Sequence, residues 1–252
     1  MHICLLDIDG TLVQTGGAGQ AAFARTLAAD FGITEISREV AFAGRSDRAI
    51  AFDLFRIHGV EPTVENWQRF YRGYLRRLEE TLPTHRGYVL PGVVPLLEAL
   101  TARGDVALGL LTGNVREAAR RKLTHYGLWH WFPFGGFGDD HVDRNDIAAA
   151  ALAEARLHLK GVGSLLRLET ATPNQNNQSQ KTPDPVCDKQ QVVVIGDTLN
   201  DISCGRSIGA KCVAVPTGHA PAEVLRHGAP DVLVETLEDA EPVLKLFDAA
   251  NL

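Results

Sequence analysis

The sequence lacks the features that mark secreted, membrane-spanning and nucleic-acid-binding proteins. Its four cysteines, Cys4, Cys187, Cys204 and Cys212, include no Cys-x-x-Cys pair and no zinc-ligand spacing. No apolar run approaches the length that crosses a bilayer. A net charge of -6 leaves no excess of Lys and Arg for a phosphate backbone. We therefore expect free thiols, a cytoplasmic location, and neither a membrane nor a nucleic acid as partner.

What the sequence has is the pattern of a layered α/β protein. Its 252 residues are 45% hydrophobic and 22% charged, which is enough apolar material for a full core. Apolar, β-branched runs alternate with helical patterns along most of the chain. The strand-like runs lie at 3–6, 106–111, 131–137, 192–195, 212–215 and 232–234. This alternation predicts a doubly wound, mostly parallel, Rossmann-like sheet.

Two segments break the alternation. Residues 15–89 have helical periodicity and no convincing strand, so we expect an inserted helical domain, with a core made of residues 1–14 and 90–252. Residues 160–191 form a second insertion, whose middle is polar and without apolar periodicity, and there we expect a mobile surface loop. The segment 17–22 fits a G-x-G-x-x-A dinucleotide fingerprint, but that fingerprint needs its first glycine at the strand end.

The end of the first strand is occupied instead by two acids. The segment 5–12 reads Leu-Leu-Asp-Ile-Asp-Gly-Thr-Leu, so Asp7 and Asp9 follow an apolar run directly and Gly10 permits a sharp turn. In open α/β sheets the carboxyl ends of the strands face the ligand crevice. Two carboxylates this close repel each other unless they share a cation, and a hard divalent ion prefers oxygen ligands.

Three other predicted strands also end in polar residues. Thr112, Gly113 and Asn114 follow the run at 106–111 and offer a hydroxyl and backbone amides at a helix start, which suits an anion. Arg144 precedes another helix and suits bidentate contact with phosphate oxygens. Each of these residues alone is equally compatible with a helix cap or a surface side chain.

A fourth cluster repeats the acidic pattern. Asp197 and Asp201 follow the run at 192–195 and lead into a helix. A capping role explains either aspartate singly, but not the presence of four polar clusters at the carboxyl ends of strands in one sheet. The sequence therefore predicts an oxygen-ligand metal site formed by Asp7 and Asp9 with Asp197, and supported by Asp201.

Taken in order, these motifs resemble those of the haloacid dehalogenase superfamily. The segments 7–11 (Asp-Ile-Asp-Gly-Thr), 111–114 (Leu-Thr-Gly-Asn) and 196–201 (Gly-Asp-Thr-Leu-Asn-Asp) are similar to its first, second and fourth motifs. The helical insertion is similar to its type-one cap. The third motif departs from the family pattern, because Arg144 followed by Asn145 stands where a lysine before a proline is usual.

The resemblance implies a magnesium-dependent phosphatase. In such an enzyme Asp7 would be the nucleophile, Asp9 the proton shuttle, and Thr112 and Arg144 the phosphoryl-binding residues. Asp7, the Asp9 carbonyl and Asp197 would hold Mg2+, and the substrate would be a small phosphorylated metabolite. Residues of the first and second motifs, Gly10, Thr11, Gly113 and Asn114, are expected to help bind the phosphate.

The cap loop and two rival functions complete the expectations. The loop 44–47 resembles that of phosphoglycolate phosphatase-like members, so Arg45 is a candidate for binding a substrate carboxylate, whereas Ser46 or Asp47 equally suits a helix cap.

Two other functions are compatible with these motifs. A phosphomutase would retain both acids of the first motif. A non-catalytic binding protein on the same fold is the third alternative, and either a monomer or a homodimer is compatible with the sequence.

Overall fold

A parallel six-stranded sheet forms the centre of the molecule. The computed structural model describes residues 1–36, 40–139, 141–170, 190–218 and 220–248, with only the backbone of 162–170. The strands of the main sheet are β1 (His2–Leu6), β4 (Val106–Leu111), β5 (Phe134–Gly136), β6 (Val192–Gly196), β7 (Lys211–Ala214) and β8 (Val232–Leu233). They lie in the order β5-β4-β1-β6-β7-β8, and every neighbouring pair is parallel. The predicted doubly wound fold is confirmed.

Nine helices and a small second sheet account for most of the remaining described residues. The helices are α1 (Ala18–Phe31), α2 (Asp47–Ile57), α3 (Val64–Thr81), α4 (Val93–Ala102), α5 (Arg116–His125), α6 (Arg144–Thr170), α7 (Leu199–Ser207), α8 (Ala222–His227) and α9 (Glu241–Leu244). Strands β2 (Val13–Gln14) and β3 (Tyr88–Val89) pair antiparallel. In the described segments no helix is long and apolar enough to cross a bilayer.

Alternate residues of β1 point into two different core layers. Cys4 and Leu6 belong to a cluster that includes the apolar face of α4, whereas Ile3 and Leu5 pack in a cluster with α6. All four side chains are fully buried. A strand covered by helices on both faces needs an unbroken apolar run, which is why the sequence of β1 shows no alternation.

Helix α6 is longer than its apolar pattern suggested. The helix continues to Thr170 and so overlaps the start of the insertion predicted at 160–191, which stays a prediction. Up to that segment Leu152, Ala155 and Leu159 form a buried stripe at helical spacing. The polar middle of the insertion, where the mobile loop is predicted, falls within residues 171–189, which lie outside the described residues, as does Cys187. The other three cysteines are buried free thiols, as predicted.

The helical insertion has a core of its own. Helices α1 to α3 lie between β2 and β3, and their inner faces share an aromatic cluster built around Phe23, Phe55, Phe70 and Tyr74. This cluster also includes Val115 and Ala118, so the insertion packs against the start of α5. The division into a cap at 15–89 and a core of the remaining residues stays a prediction.

The strand order places the crevice above β1. The chain runs outward from β1 to β4 and β5, and then returns to add β6 on the other side of β1. At such a switch point the connections leave in opposite directions and open a cleft at the carboxyl ends of the strands. Asp7, Thr112 and Asp197 follow β1, β4 and β6 closely, so the topology brings them to this cleft.

Candidate active site

Asp7 and Gly10 form the floor of the site. Asp7 is buried, and its backbone N–H donates to the Ile195 carbonyl at 3.0 Å, which extends the pairing of β1 with β6 by one residue. Gly10 has a φ of +86°, and a Cβ there would lie 2.5 Å from Asp197 Oδ2 and 2.8 Å from Gly218 Cα. Only glycine allows the turn and the close approach of Asp197 together.

Three buried carboxylates converge at this floor. Ligand oxygens of Asp7, Asp197 and Asp201 all lie within 4.8 Å of one another. Burial, followed by the charge of Asp201, raises the pKa of both Asp7 and Asp197 above the ordinary aspartate range. Thr11 donates its hydroxyl proton to Asp197 Oδ1 at 3.3 Å and so orients that side chain. A set of hard oxygen donors short of positive charge fits a divalent cation.

Arg144 provides positive charge next to the acids. It is the first residue of α6, is buried, and holds Nη1 3.6 Å from Asp7 Oδ1 while Nη2 donates to Asp201 Oδ1. Asp201 is fixed independently, because its Oδ2 accepts from the N–H and the hydroxyl of Thr198 at 3.0 and 2.6 Å in the capping box of α7. The structure thus brings Arg144 to the nucleophile candidate.

The turn after β4 presents Thr112 and Asn114. The Thr112 hydroxyl is buried and accepts from the Asn114 side-chain amide at 2.9 Å. The same amide nitrogen of Asn114 donates to Asp9 Oδ2 at 2.8 Å. Asn114 therefore contacts one of the two acids of the first motif as well as lining the cavity.

Lys122 is a site residue that none of the sequence motifs includes. Its Nζ donates to Asp9 Oδ2 and to Asn114 Oδ1, both at 2.6 Å, and its side chain is only 5% exposed. The sequence signal that could have identified Lys122 is its position at helical spacing from apolar residues of α5. The other buried residues of α5, Ala118, Ala119 and Leu123, put Lys122 on the apolar face.

The cap loop closes over the turn after β4. A Cβ at Gly113 would lie 2.1 Å from the Arg45 carbonyl oxygen, so this contact requires glycine. Asp47 donates its N–H to the Gly113 carbonyl at 2.8 Å and accepts at Oδ2 from the Val115 N–H at 2.9 Å. Burial raises the pKa of Asp47 to about 7. Ser46 is the N-cap of α2, which is one of the two alternatives left open by the sequence.

Arg45 lines the cavity but already has a partner. Its Nη2 lies 2.5 Å from Asp53 Oδ2 on the next turns of α2. Asn200, which follows β6 in sequence, donates its side-chain amide to the Gly44 carbonyl at 2.9 Å, so the loop is held from the core side too. A substrate carboxylate would have to compete with Asp53 for the guanidinium.

These groups share one cavity of about 210 Å³ between the cap and the core. The side chains that line its core side are Asp7, Asp9, Thr112, Asn114, Lys122 and Arg144. The cap contributes apolar and polar groups, among them Gln20, Phe23, Phe42, Asp47 and Tyr74. A small anionic molecule would meet an acidic floor that fits a metal, the cations Lys122 and Arg144 on the core side and Arg45 on the cap side, and a partly aromatic roof.

A parallel sheet with a helical insertion after β1 and acids at the ends of β1 and β6 is the architecture of a known hydrolase class. The chain matches the haloacid dehalogenase-like hydrolase family over residues 1–209. This protein therefore belongs to the haloacid dehalogenase-like hydrolases, as the motifs predicted, and is an enzyme of the hydrolase class.

Relatives of similar length carry phosphatase names. The chain is 27% identical to the phosphoglycolate phosphatase of Synechococcus elongatus over 95% of both chains. It is 23% identical to the phosphoglycolate phosphatase of Agrobacterium fabrum, over 96% of this chain and 91% of that protein. The crystal structure of CbbY from Rhodobacter sphaeroides, solved in complex with phosphate, superposes with a TM-score of 0.66 at 18% identity, covering 100% of this chain and 99% of that one. The structural likeness establishes the shared fold.

Proposed function

We propose that this protein is a magnesium-dependent phosphatase that hydrolyses a small phosphomonoester, phosphoglycolate-like or a sugar phosphate, through an aspartyl-phosphate on Asp7. The observation that carries the proposal is the position of Asp7 in the wall of this cavity, beside two further buried carboxylates and the guanidinium of Arg144. The phosphatase names of the relatives support the same reaction class.

Mg2+ would be held by the side chains of Asp7 and Asp197 and by the backbone carbonyl of Asp9, with Asp201 behind them. These oxygen ligands fit a divalent cation, because the three buried carboxylates carry more negative charge than their cationic neighbours balance. Among the described residues, only the Arg144 guanidinium forms salt bridges with them. When bound, the ion screens the repulsion between an anionic nucleophile and an anionic phosphate and polarises a phosphoryl oxygen.

Asp7 would attack phosphorus with one carboxylate oxygen. Its neighbours keep that oxygen in place, because the backbone of Asp7 is fixed to β6 and Arg144 lies beside Oδ1. Arg144 and the Thr112 hydroxyl would bind phosphoryl oxygens and stabilise charge as it moves from the nucleophile to the leaving group. The backbone amide of Gly113 would add a donor at the turn after β4. The N–H groups of Gly10 and Thr11 already donate to the carbonyls of Val13 at 2.9 Å and Ile8 at 3.3 Å, so these two residues would shape the turn that holds the phosphate.

Asp9 would act as the general acid and then as the general base. In the first half-reaction it gives a proton to the leaving alcohol oxygen, and in the second it takes one from the water that attacks the aspartyl-phosphate. Its side chain is 40% exposed toward the cavity, whereas that of Asp7 is 10% exposed. This greater exposure supports Asp9 as the acid that would meet both the leaving group and water.

The decisive experiment is a panel of small phosphomonoesters assayed for phosphate release with Mg2+ and with EDTA. We expect multiple turnovers on at least one ester with Mg2+ and background rates after chelation. A phosphomutase would return an isomerised ester without releasing phosphate, and a binding protein would release none. Either result would reject the proposal.

The raised carboxyl pKa values predict a pH-dependent stabilisation by magnesium. Because Asp7, Asp197 and Asp47 have a higher pKa in the folded protein than unfolded, the metal-free fold binds more protons than the unfolded chain. Its stability should therefore fall as pH rises from about 4 through the folded pKa values. Bound Mg2+ replaces protons at Asp7 and Asp197, so its stabilising effect should grow with pH.

Thermal unfolding in EDTA and in Mg2+ measures this effect. We expect the Mg2+-induced rise in Tm to be larger at about pH 8.5 than at about pH 5.5. Asp197→Asn should remove most of the rise at both values. A rise of equal size at both pH values, or one that survives in Asp197→Asn, would place the metal elsewhere.

A further inference from the structure

Lys122 is buried in a way that needs an explanation. The residue is 4% exposed and lies on the inner face of α5, where an uncompensated ammonium is strongly unfavourable. Gly19 in the first turn of α1 covers it, since a Cβ at Gly19 would lie 3.4 Å from Lys122 Nζ. The chain therefore keeps a desolvated charge at the boundary between cap and core.

The ammonium is directed at one oxygen of Asp9. Asp9 Oδ2 accepts from Lys122 Nζ at 2.6 Å and from the Asn114 amide at 2.8 Å, while Lys122 also donates to Asn114 Oδ1 at 2.6 Å. This closed triangle of hydrogen bonds fixes the carboxyl group. Asp9 Oδ1 has no partner of this kind among the described residues, and the side chain lines the cavity.

We propose that Lys122 is a positioning residue for proton transfer by Asp9. With two donors on Oδ2, a proton carried by Asp9 must sit on Oδ1, the oxygen left for the reacting groups. Lys122 thus selects the oxygen that exchanges protons and holds its direction. The inference rests on the proposed phosphatase function.

Two proton transfers would pass through that oxygen. In the first step the bond from phosphorus to Asp7 forms, the bond to the alcohol oxygen breaks, and the proton on Asp9 Oδ1 moves to that oxygen. In the second step water bonds to phosphorus, the bond to Asp7 breaks, and the water proton returns to Asp9 Oδ1. Both steps require the same orientation of Asp9.

The test compares Lys122→Met with Arg120→Met, a matched control on α5 whose guanidinium pairs with Glu117 at the surface. Methionine fills the space of the lysine stem without a charge. The carboxylate left behind, that of Asp9, belongs to a side chain that is 40% exposed, so it stays hydrated and the cost of an uncompensated buried charge is avoided. We expect Lys122→Met to keep its Tm and its KM and to lose about 10²-fold in kcat for alkyl phosphates. Arg120→Met should behave as the wild type.

A second substrate isolates the proton step. The leaving group of p-nitrophenyl phosphate departs without a proton, so Lys122→Met should form the aspartyl-phosphate rapidly and then hydrolyse it slowly. We expect a burst of one p-nitrophenolate per enzyme, followed by a reduced steady-state rate. A residue that merely stabilised the fold or bound phosphate would produce no such burst.

The outcomes separate this inference from the function on which it rests. A kcat of Lys122→Met equal to that of Arg120→Met would overturn the inference, as would a lower Tm that accounts for the loss, or a change confined to KM. Asp9→Asn tests the underlying role of Asp9. If Asp9→Asn retains wild-type turnover of alkyl phosphates, the proposed proton shuttle itself is wrong, whatever Lys122→Met shows.

Discussion

Asp7→Asn is expected to reduce kcat for phosphomonoester hydrolysis by about 10⁴-fold or more, the scale on which enzymes lose rate with their nucleophile. The amide has the shape of the carboxyl group but lacks the anionic oxygen that would attack phosphorus. Because Asp7 lies between Asp197 and Asp201, the substitution also relieves repulsion in the metal-free protein. Its Tm in EDTA should therefore equal or exceed that of the wild type.

The measurement pairs phosphate release with thermal unfolding. Asp239→Asn is a suitable control, because Asp239 is exposed and lies outside the cavity. A folded Asp7→Asn protein with undiminished, EDTA-sensitive activity would show that another group attacks phosphorus. Loss of activity together with a lower Tm in EDTA would mean that Asp7 acts in folding.

Arg144→Met is expected to lower kcat/KM by about 10²- to 10³-fold, the usual cost of losing one donor to transition-state charge. The guanidinium is buried beside Asp7 and donates a hydrogen bond to Asp201, so it is already in place before substrate binds. Inhibition by orthovanadate, which adopts the geometry of the transferring phosphoryl group, should weaken in parallel. Arg144→Lys keeps the positive charge but lacks the planar guanidinium, so its kcat/KM and its vanadate affinity should lie between those of the wild type and of Arg144→Met.

Stability provides a second readout for Arg144. Removing one partner of a buried ion pair costs about 3–5 kcal/mol when the other charge is left uncompensated. Here Asp201 keeps two hydrogen bonds from Thr198, which limits this cost. Because Mg2+ would replace the positive charge lost with the guanidinium, we expect the fall in Tm of Arg144→Met to be smaller in Mg2+ than in EDTA. Vanadate affinity equal to that of the wild type would move the phosphate-binding role to another cation of the cavity, of which Lys122 is the first candidate.

The strand ends were predictable from the sequence because the physics that places them is local. An unbroken apolar run marks a strand buried on both faces, and β1 behaves in this way with Ile3 to Leu6 split between two core layers. Parallel strands bring their carboxyl ends to one edge, so Asp7, Thr112 and Asp197 had to meet. The sequence could not set the distances between them, which depend on the twist and register of β1, β4 and β6.

Residues whose partners are distant in sequence were harder to predict. Lys122 lies in a run of charged residues on α5, and its contact with Asp9 spans 113 positions. Arg45 has the chemistry to bind a carboxylate, but the fold of α2 places Asp53 two turns away as its partner. Asp47 reads as a helix-start acid, and the closure of the cap on the turn after β4 buries it. Such pairings depend on tertiary packing.

The central claim, a covalent phosphoryl group on Asp7, is tested most directly by rapid acid quench of the enzyme during turnover of a substrate from the ester panel, followed by mass spectrometry of its peptides. The account predicts one phosphoryl group on the peptide that contains Asp7, transient in the wild type, longer-lived in Lys122→Met and missing in Asp7→Asn. A phosphoryl group on another residue, or continued turnover with no phosphorylated enzyme in Lys122→Met, would contradict it.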